Sequence, residues 1–174
     1  MSDLEARLKS VIRDVPDFPK PGILFKDITP VLADAVLLND ITQHYARRYA
    51  GKVDAVVGME SRGFIFGTPI ALALGAAFVP ARKPGKLPYE RISEEYDLEY
   101  GTARLDMHVD AIRPGQRVLI VDDLIATGGT AAATARLVER LGGSLVAMAF
   151  VIELTFLPGR AAVGNCVVDS LVRY

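Results

Sequence analysis

An aliphatic run, Val118 to Val121, ends in two adjacent carboxylates, Asp122 and Asp123, and a small-residue loop follows at once: Ala126, Thr127, Gly128, Gly129 and Thr130. An Ala-rich segment then begins. A buried strand that hands over to a helix through glycines is the basic step of an α/β fold. The same step puts backbone N–H groups and two hydroxyls at a helix N-terminus, which suits a phosphate dianion. Gly128 and Gly129 let the backbone approach an anion closely. The carboxylates need a different partner, because phosphate repels them and burial penalises their charge. Side by side on a turn, they suit the cis hydroxyls of a ribose. No Lys follows the glycines in a Walker A frame, and no G-x-G-x-x-G is present, which argues against a nucleotide triphosphatase or a dinucleotide-binding dehydrogenase.

The rest of the chain repeats the pattern. Ser2 and Glu5 have capping-box spacing, and Leu4, Leu8 and Val11 continue a helical stripe. Pro16, Pro19 and Pro21 predict a stiff, irregular, extended stretch leading to the apolar segment 22–28. Leu37, Ile41, Tyr45 and Tyr49 predict an amphipathic helix over about 35–49. Strands are predicted at 53–57, 77–81, 117–122, 144–152 and about 165–172, with helices at 64–74 and 129–141. Alternation through Tyr96, Leu98 and Tyr100, and again through Ala103, Leu105, Met107 and Val109, predicts an antiparallel ribbon or flap. The fold class is therefore α/β, a Rossmann-like, mostly parallel sheet flanked by helices, with ligand beyond the strand C-termini.

At 174 residues the chain is expected to be one domain. Its net charge of −1 gives no pull toward nucleic acid. A hydrophobic fraction of 51% with only 7% aromatics fits an aliphatic core. The lone Cys166 excludes an internal disulfide and reads as a small core residue. No signal peptide or long apolar span is seen, so a soluble cytoplasmic protein is expected. Loops at one edge of the sheet would carry Arg62, then Lys83 and Lys86, then the acidic pair and T-G-G-T, then Glu153. Cations on two loops facing a phosphate cradle on a third could hold a pyrophosphate and a 5′-phosphate together.

Val118–Thr130 resembles the binding motif for phosphoribosyl pyrophosphate (PRPP) of the type I phosphoribosyltransferases along its whole length. The wider pattern resembles the adenine-using branch of that family over nearly the whole chain. The segment 16–30, within an N-terminal helix and hood spanning 1–34, is similar to the family's cover over the base. Glu60-Ser-Arg-Gly-Phe64 is similar to its pyrophosphate loop, with Glu60 where other members carry Asp, and the likeness implies a non-proline cis peptide there. Segments 82–88 and 96–101 are similar to its flexible catalytic loop, placed at 82–104. Segment 151–155 is similar to the stretch flanking the purine.

The likeness implies roles for individual residues. Phe25 stacks on adenine while backbone groups of Leu24 and Lys26 read its edge, and Leu154 closes the other face. Arg62, Lys83 and Lys86 bind pyrophosphate. Asp122 and Asp123 hold the ribose hydroxyls, and Ala126 through Thr130 cradle the 5′-phosphate. Glu99 is the acid/base group, and Glu153 favours an amino-purine. The implied reaction is purine salvage, adenine and PRPP giving AMP and pyrophosphate. Mg²⁺ would be held mainly by PRPP with no direct protein ligand, and the protein would be a homodimer. Two alternatives stay open: a phosphoribosyltransferase for another base, and a non-catalytic PRPP-sensing regulator.

Overall fold

In a computed structural model, which describes residues 3–97 and 101–174, helices and strands alternate much as the periodicity predicts. Helix α1 (Asp3–Val11) leads into a hairpin of β1 (Arg13–Pro16) and β2 (Leu24–Asp27), then the short α2 (Thr29–Leu32) and the long α3 (Ala35–Tyr49). Next come β3 (Ala55–Met59), α4 (Arg62–Leu74), β4 (Ala77–Ala81) and a ribbon of β5 (Arg91–Asp97) and β6 (Thr102–His108). The remainder is β7 (Arg117–Ile125), α5 (Gly129–Arg140), β8 (Ser144–Glu153), α6 (Gly159–Ala162) and β9 (Val168–Arg173). Local chemistry sets several boundaries. The Asp34 carboxylate accepts hydrogen bonds from the amides of Val36 and Leu37 at 2.9 and 3.0 Å, which caps α3. Gly75 ends α4 in the left-handed region at φ 64°.

Five strands form the central sheet in the order β4-β3-β7-β8-β9, and every pair is parallel. β4 is an edge strand, where Pro80 removes no ladder bond that a neighbour needs. The order reverses between β3 and β7, so their C-terminal ends open a crevice between them. Both faces of the sheet are covered. On one, Leu8, Ile41, Tyr45, Phe66 and Ile70 pack against Val56, Leu119 and Val151. On the other, Leu137, Val138, Leu105 and Met107 pack against Val57, Ile120 and Phe150. Strands buried on both faces read as continuous aliphatic runs, which is why the sequence shows Val118–Val121 without alternation.

Several boundaries differ from expectation. The predicted strand 53–57 lies at Ala55–Met59, and the last strand at Val168–Arg173 rather than about 165–172. The ribbon begins at Arg91, earlier than its aromatic alternation suggests, and runs past 104 to His108. The most consequential shift is in β7, which continues to Ile125 because β8 stays paired with it as far as Ile125 and Glu153. Asp122 and Asp123 are therefore strand residues. β1, α2 and α6 were not predicted at all. Ser2 of the capping box, Leu98, Glu99 and Tyr100 lie outside the described residues.

Candidate active site

The phosphate loop is fixed by close backbone contacts. Gly128 caps α5 in the left-handed region at φ 82°. A Cβ there would lie 2.5 Å from the Gly159 carbonyl oxygen and 2.8 Å from the Ala162 Cβ, and one on Gly159 would lie 2.5 Å from the Ala126 carbonyl oxygen. The loop and α6 thus touch backbone to backbone. Beside them is a cavity of about 110 Å³ lined by Ala126, Thr127, Gly128, Gly129 and Thr130, with Asp122, Leu124 and Met59. Its donors are the first amides of α5 and two threonine hydroxyls, a concave anion site with a carboxylate at its rim.

The acidic pair is split between the two faces of β7, as successive strand positions must be. Asp122 lines the phosphate-loop cavity, and its Oδ1 accepts the Asp123 amide at 2.8 Å. Burial, then the neighbouring Asp123 charge, push the Asp122 carboxyl well above the usual range, with Arg62 opposing. Asp123 is 4% exposed and faces the start of α4, where the Arg62 Nε–H donates to its Oδ2. Close packing makes that contact possible: a Cβ on Gly63 would lie 2.6 Å from the Val121 carbonyl oxygen, so α4 begins hard against β7. Burial works against the Arg62 charge, but Asp123 outweighs it and raises the guanidinium above its ordinary value. The placement corrects the picture of two carboxylates side by side on a turn.

On the other side of the crevice the peptide between Glu60 and Ser61 is cis. The Glu60 carboxylate accepts hydrogen bonds from the Arg82 Nε–H at 3.0 Å and the Lys83 amide at 2.9 Å. Burial pushes the Glu60 carboxyl up, but those bonds outweigh it and leave it lowered. Glu60 therefore ties the loop after β3 to the basic loop after β4. Lys83 and Lys86 are exposed on that loop, and neither lines the phosphate-loop cavity. The basic loop is also stitched to the ribbon, since Arg82 and Asp106 exchange backbone hydrogen bonds at 2.9 and 2.7 Å. Asp106 is fully buried, with Arg91 and Arg104 each 3.2 Å away and Ser93 donating at 2.7 Å.

The hood lies farther out. Phe25 meets Phe18 edge to face with ring centroids 5.1 Å apart, and Leu24 is 50% exposed. The Lys26 ammonium bonds Asp14 at 2.5 Å and sits 3.9 Å over the Tyr174 ring, so its side chain is engaged away from the crevice and only its backbone is left to read a base. Leu154 packs on the core and donates its amide to the Ile125 carbonyl at 3.1 Å. Glu153 ends β8 inside the sheet. Its carboxylate is taken by Arg160 at 2.5 and 2.8 Å, by Arg173 and by the Ser170 hydroxyl. Those bonds, Arg160 first, hold its carboxyl below the usual range. The charge expected to select an amino-purine is thus already compensated.

Comparison with known proteins decides the family. A phosphoribosyl transferase domain model matches residues 28–156. An adenine phosphoribosyltransferase of Myxococcus xanthus is 57% identical over 175 residues, covering 100% of this chain and 93% of the relative. This chain belongs to the adenine phosphoribosyltransferases, within the phosphoribosyltransferase family. The crystal structure of the Thermoanaerobacter pseudethanolicus adenine phosphoribosyltransferase superposes with a TM-score of 0.94 at 53% identity, covering 97% of this chain and 99% of that one. The Saccharomyces cerevisiae adenine phosphoribosyltransferase, solved with D-2,5-dideoxy-2,5-imino-altritol 1,6-bisphosphate and adenine, gives 0.92 at 43% identity, covering 98% and 99%.

Within this phosphoribosyltransferase, three site features escaped sequence reading. Leu124 lines the phosphate-loop cavity and also joins the apolar cluster that holds Leu154. Gly159 shapes the phosphate loop from a distance. Arg160, the next residue, locks the end of β8 by bonding both Glu153 and the Val168 carbonyl. The signal available was Pro158-Gly-Arg160 after an aliphatic strand, a turn followed by a cation, and four-residue helices are too short to show periodicity.

Proposed function

We propose that this chain transfers the 5-phosphoribosyl group from PRPP to N9 of adenine, yielding AMP and pyrophosphate. The observation that carries the reading is a phosphate cradle with a carboxylate at its rim, facing an arginine and a basic loop across the switch point of the sheet. N9 attacks the anomeric carbon as its bond to pyrophosphate oxygen breaks. Positive charge grows on the ribose ring in the transition state, and Asp122 and Asp123 stabilise it electrostatically while holding the hydroxyls. Amides from Ala126 to Thr130 keep the 5′-phosphate in place. Arg62, Lys83 and Lys86 take the departing pyrophosphate. Phe25 and Leu154 sandwich the base, and Leu124 supplies further apolar surface.

Glu99 takes the proton that leaves purine N7 as N9 bonds to the anomeric carbon. Mg²⁺ would be held by the donor's phosphate oxygens and water, its preferred ligands, and would supply neutralisation of pyrophosphate charge. A multiply charged donor cannot cross a bilayer unaided, which supports action in the cytoplasm. A homodimer is part of the proposal, and Ile65 and Leu72, exposed at 42% and 78% one heptad apart on α4, offer it apolar surface. No helix among the described residues is long and apolar enough to cross a membrane. The test is formation of AMP from adenine, PRPP and Mg²⁺. Absence of product with adenine, but turnover with another base, would reassign the substrate.

A further inference from the structure

The ion pair between Arg62 and Asp123 joins two residues with separate duties in the proposed reaction, one toward pyrophosphate and one toward ribose. We infer that this pair couples the two subsites, so that the site selects a ligand presenting pyrophosphate and ribose diol together over a ligand presenting either alone. The inference rests on the phosphoribosyl-transfer reading above and deepens it.

The two subsites compete for one contact. The Arg62 Nε–H is spent on the Asp123 Oδ2, and the Asp123 side chain is only 6% exposed while that of Arg62 is 50% exposed. A pyrophosphate that takes the Nε–H for itself leaves a buried carboxylate without its charge partner, and leaving a buried charge uncompensated is costly. Drawing Asp123 toward a diol costs less on the arginine side, because the half-exposed guanidinium can turn to water, but it still gives up a charge-assisted bond. A half-ligand therefore breaks the pair and repairs one side of it. A ligand carrying both groups breaks the pair once and satisfies both residues. Asp122 acts on Arg62 by charge and as the weakest of its influences, while its Oδ1 accepts the Asp123 amide and it lines the phosphate-loop cavity. Discrimination of this kind comes from a penalty on the wrong ligand, not from extra contacts to the right one.

The pair makes an unusual forecast: removing a proposed substrate-binding carboxylate strengthens binding of one product. In calorimetric titrations with magnesium pyrophosphate, Asp123→Asn binds roughly tenfold more tightly than the parent. Asp122→Asn removes an equal charge from the next position and changes the affinity less than about threefold. In an Arg62→Gln background, Asp123→Asn adds no further tightening. Conversely, Arg62→Gln binds ribose 5-phosphate more tightly than the parent, an arm that stands even if Asp123→Asn does not fold. Unchanged or weaker pyrophosphate binding in Asp123→Asn, with unchanged ribose 5-phosphate binding in Arg62→Gln, overturns the coupling. Equal tightening in Asp122→Asn also overturns it, because long-range charge alone would then account for the effect. A parent that makes AMP while the variants show no coupling sinks this inference only. A parent that binds neither PRPP nor pyrophosphate sinks the proposed function with it.

Discussion

The phosphate loop and the ribbon both border the crevice, yet they are held by different forces. The loop from Ala126 to Thr130 is clamped by close contacts with the Gly159 backbone and the Ala162 Cβ that leave no room for a methyl group on Gly128. The base of the ribbon is anchored in the core by Leu105 and Met107, but its β5 arm also meets α5 through side-chain ion pairs. Glu94 is forked between Arg136 at 2.5 Å and Arg140 at 2.9 Å, two residues with nearly half of their side-chain surface exposed. The lesson is a division of labour. In the proposed reaction an invariant part of the donor, its 5′-phosphate, would be met by a shape set in advance, so binding need not order the loop. The β5 arm of the ribbon is tied down by ion pairs that are partly wet, where each bond is weak and salt-sensitive.

Four changes would break or sharpen that contrast. The largest effect is expected from Glu99→Gln, which should lower kcat roughly 100- to 10,000-fold with little change in KM for PRPP. Equal steady-state kcat in mutant and parent would remove Glu99 from the chemistry. Gly128→Ala comes next. It forces a left-handed alanine into the backbone of α6 and should cost about 2–4 kcal/mol in urea unfolding, together with loss of phosphate binding. Parent-like stability there would mean that the loop is not rigidly held.

Asp122→Asn should separate stability from function. Its folded-state pKa is raised, so the folded chain holds that proton more tightly than the unfolded one. Stability from this group is full below the ordinary value near 3.9 and declines as pH rises through the raised value. At neutral pH the asparagine variant should gain about 1 kcal/mol, roughly 2–4 °C in Tm, while binding PRPP at least tenfold more weakly. A fall in Tm in scanning calorimetry would refute the assigned repulsion. Asp54→Asn is the smallest change and lies away from the crevice. Arg117 bonds hold Asp54 down to about 2, so its contribution is present above the ordinary value and is lost as pH falls through about 2. The variant should therefore show a flatter acid limb with unchanged turnover.

Sequence reading recovered what periodicity carries and missed what depends on distant partners. β4 and α3 were legible because β-type residues bounded by turns, and a stripe at Leu37, Ile41, Tyr45 and Tyr49, each report on one element alone. β1 was hidden, since Pro16 suggests an interruption and nothing local announces that Val15 pairs with Phe25. The extent of β7 was equally hidden, because its last residues are kept extended by β8. Among site residues, the phosphate loop was plain from its glycines. The engagement of Glu153 by Arg160, Ser170 and Arg173 was not, as the partners come from two later elements, α6 and β9. Nor does sequence alone reveal that Arg62 and Asp123 meet.

The interlock of Gly128 with Gly159 has a consequence for protein engineering. The segment Val118–Thr130 looks like a portable cassette, a short recipe for gripping a phosphorylated sugar. It is not self-sufficient, since one wall of the grip is lent by a turn more than a helix downstream. Grafted into a foreign scaffold without that turn, the cassette would keep its letters and lose its contour.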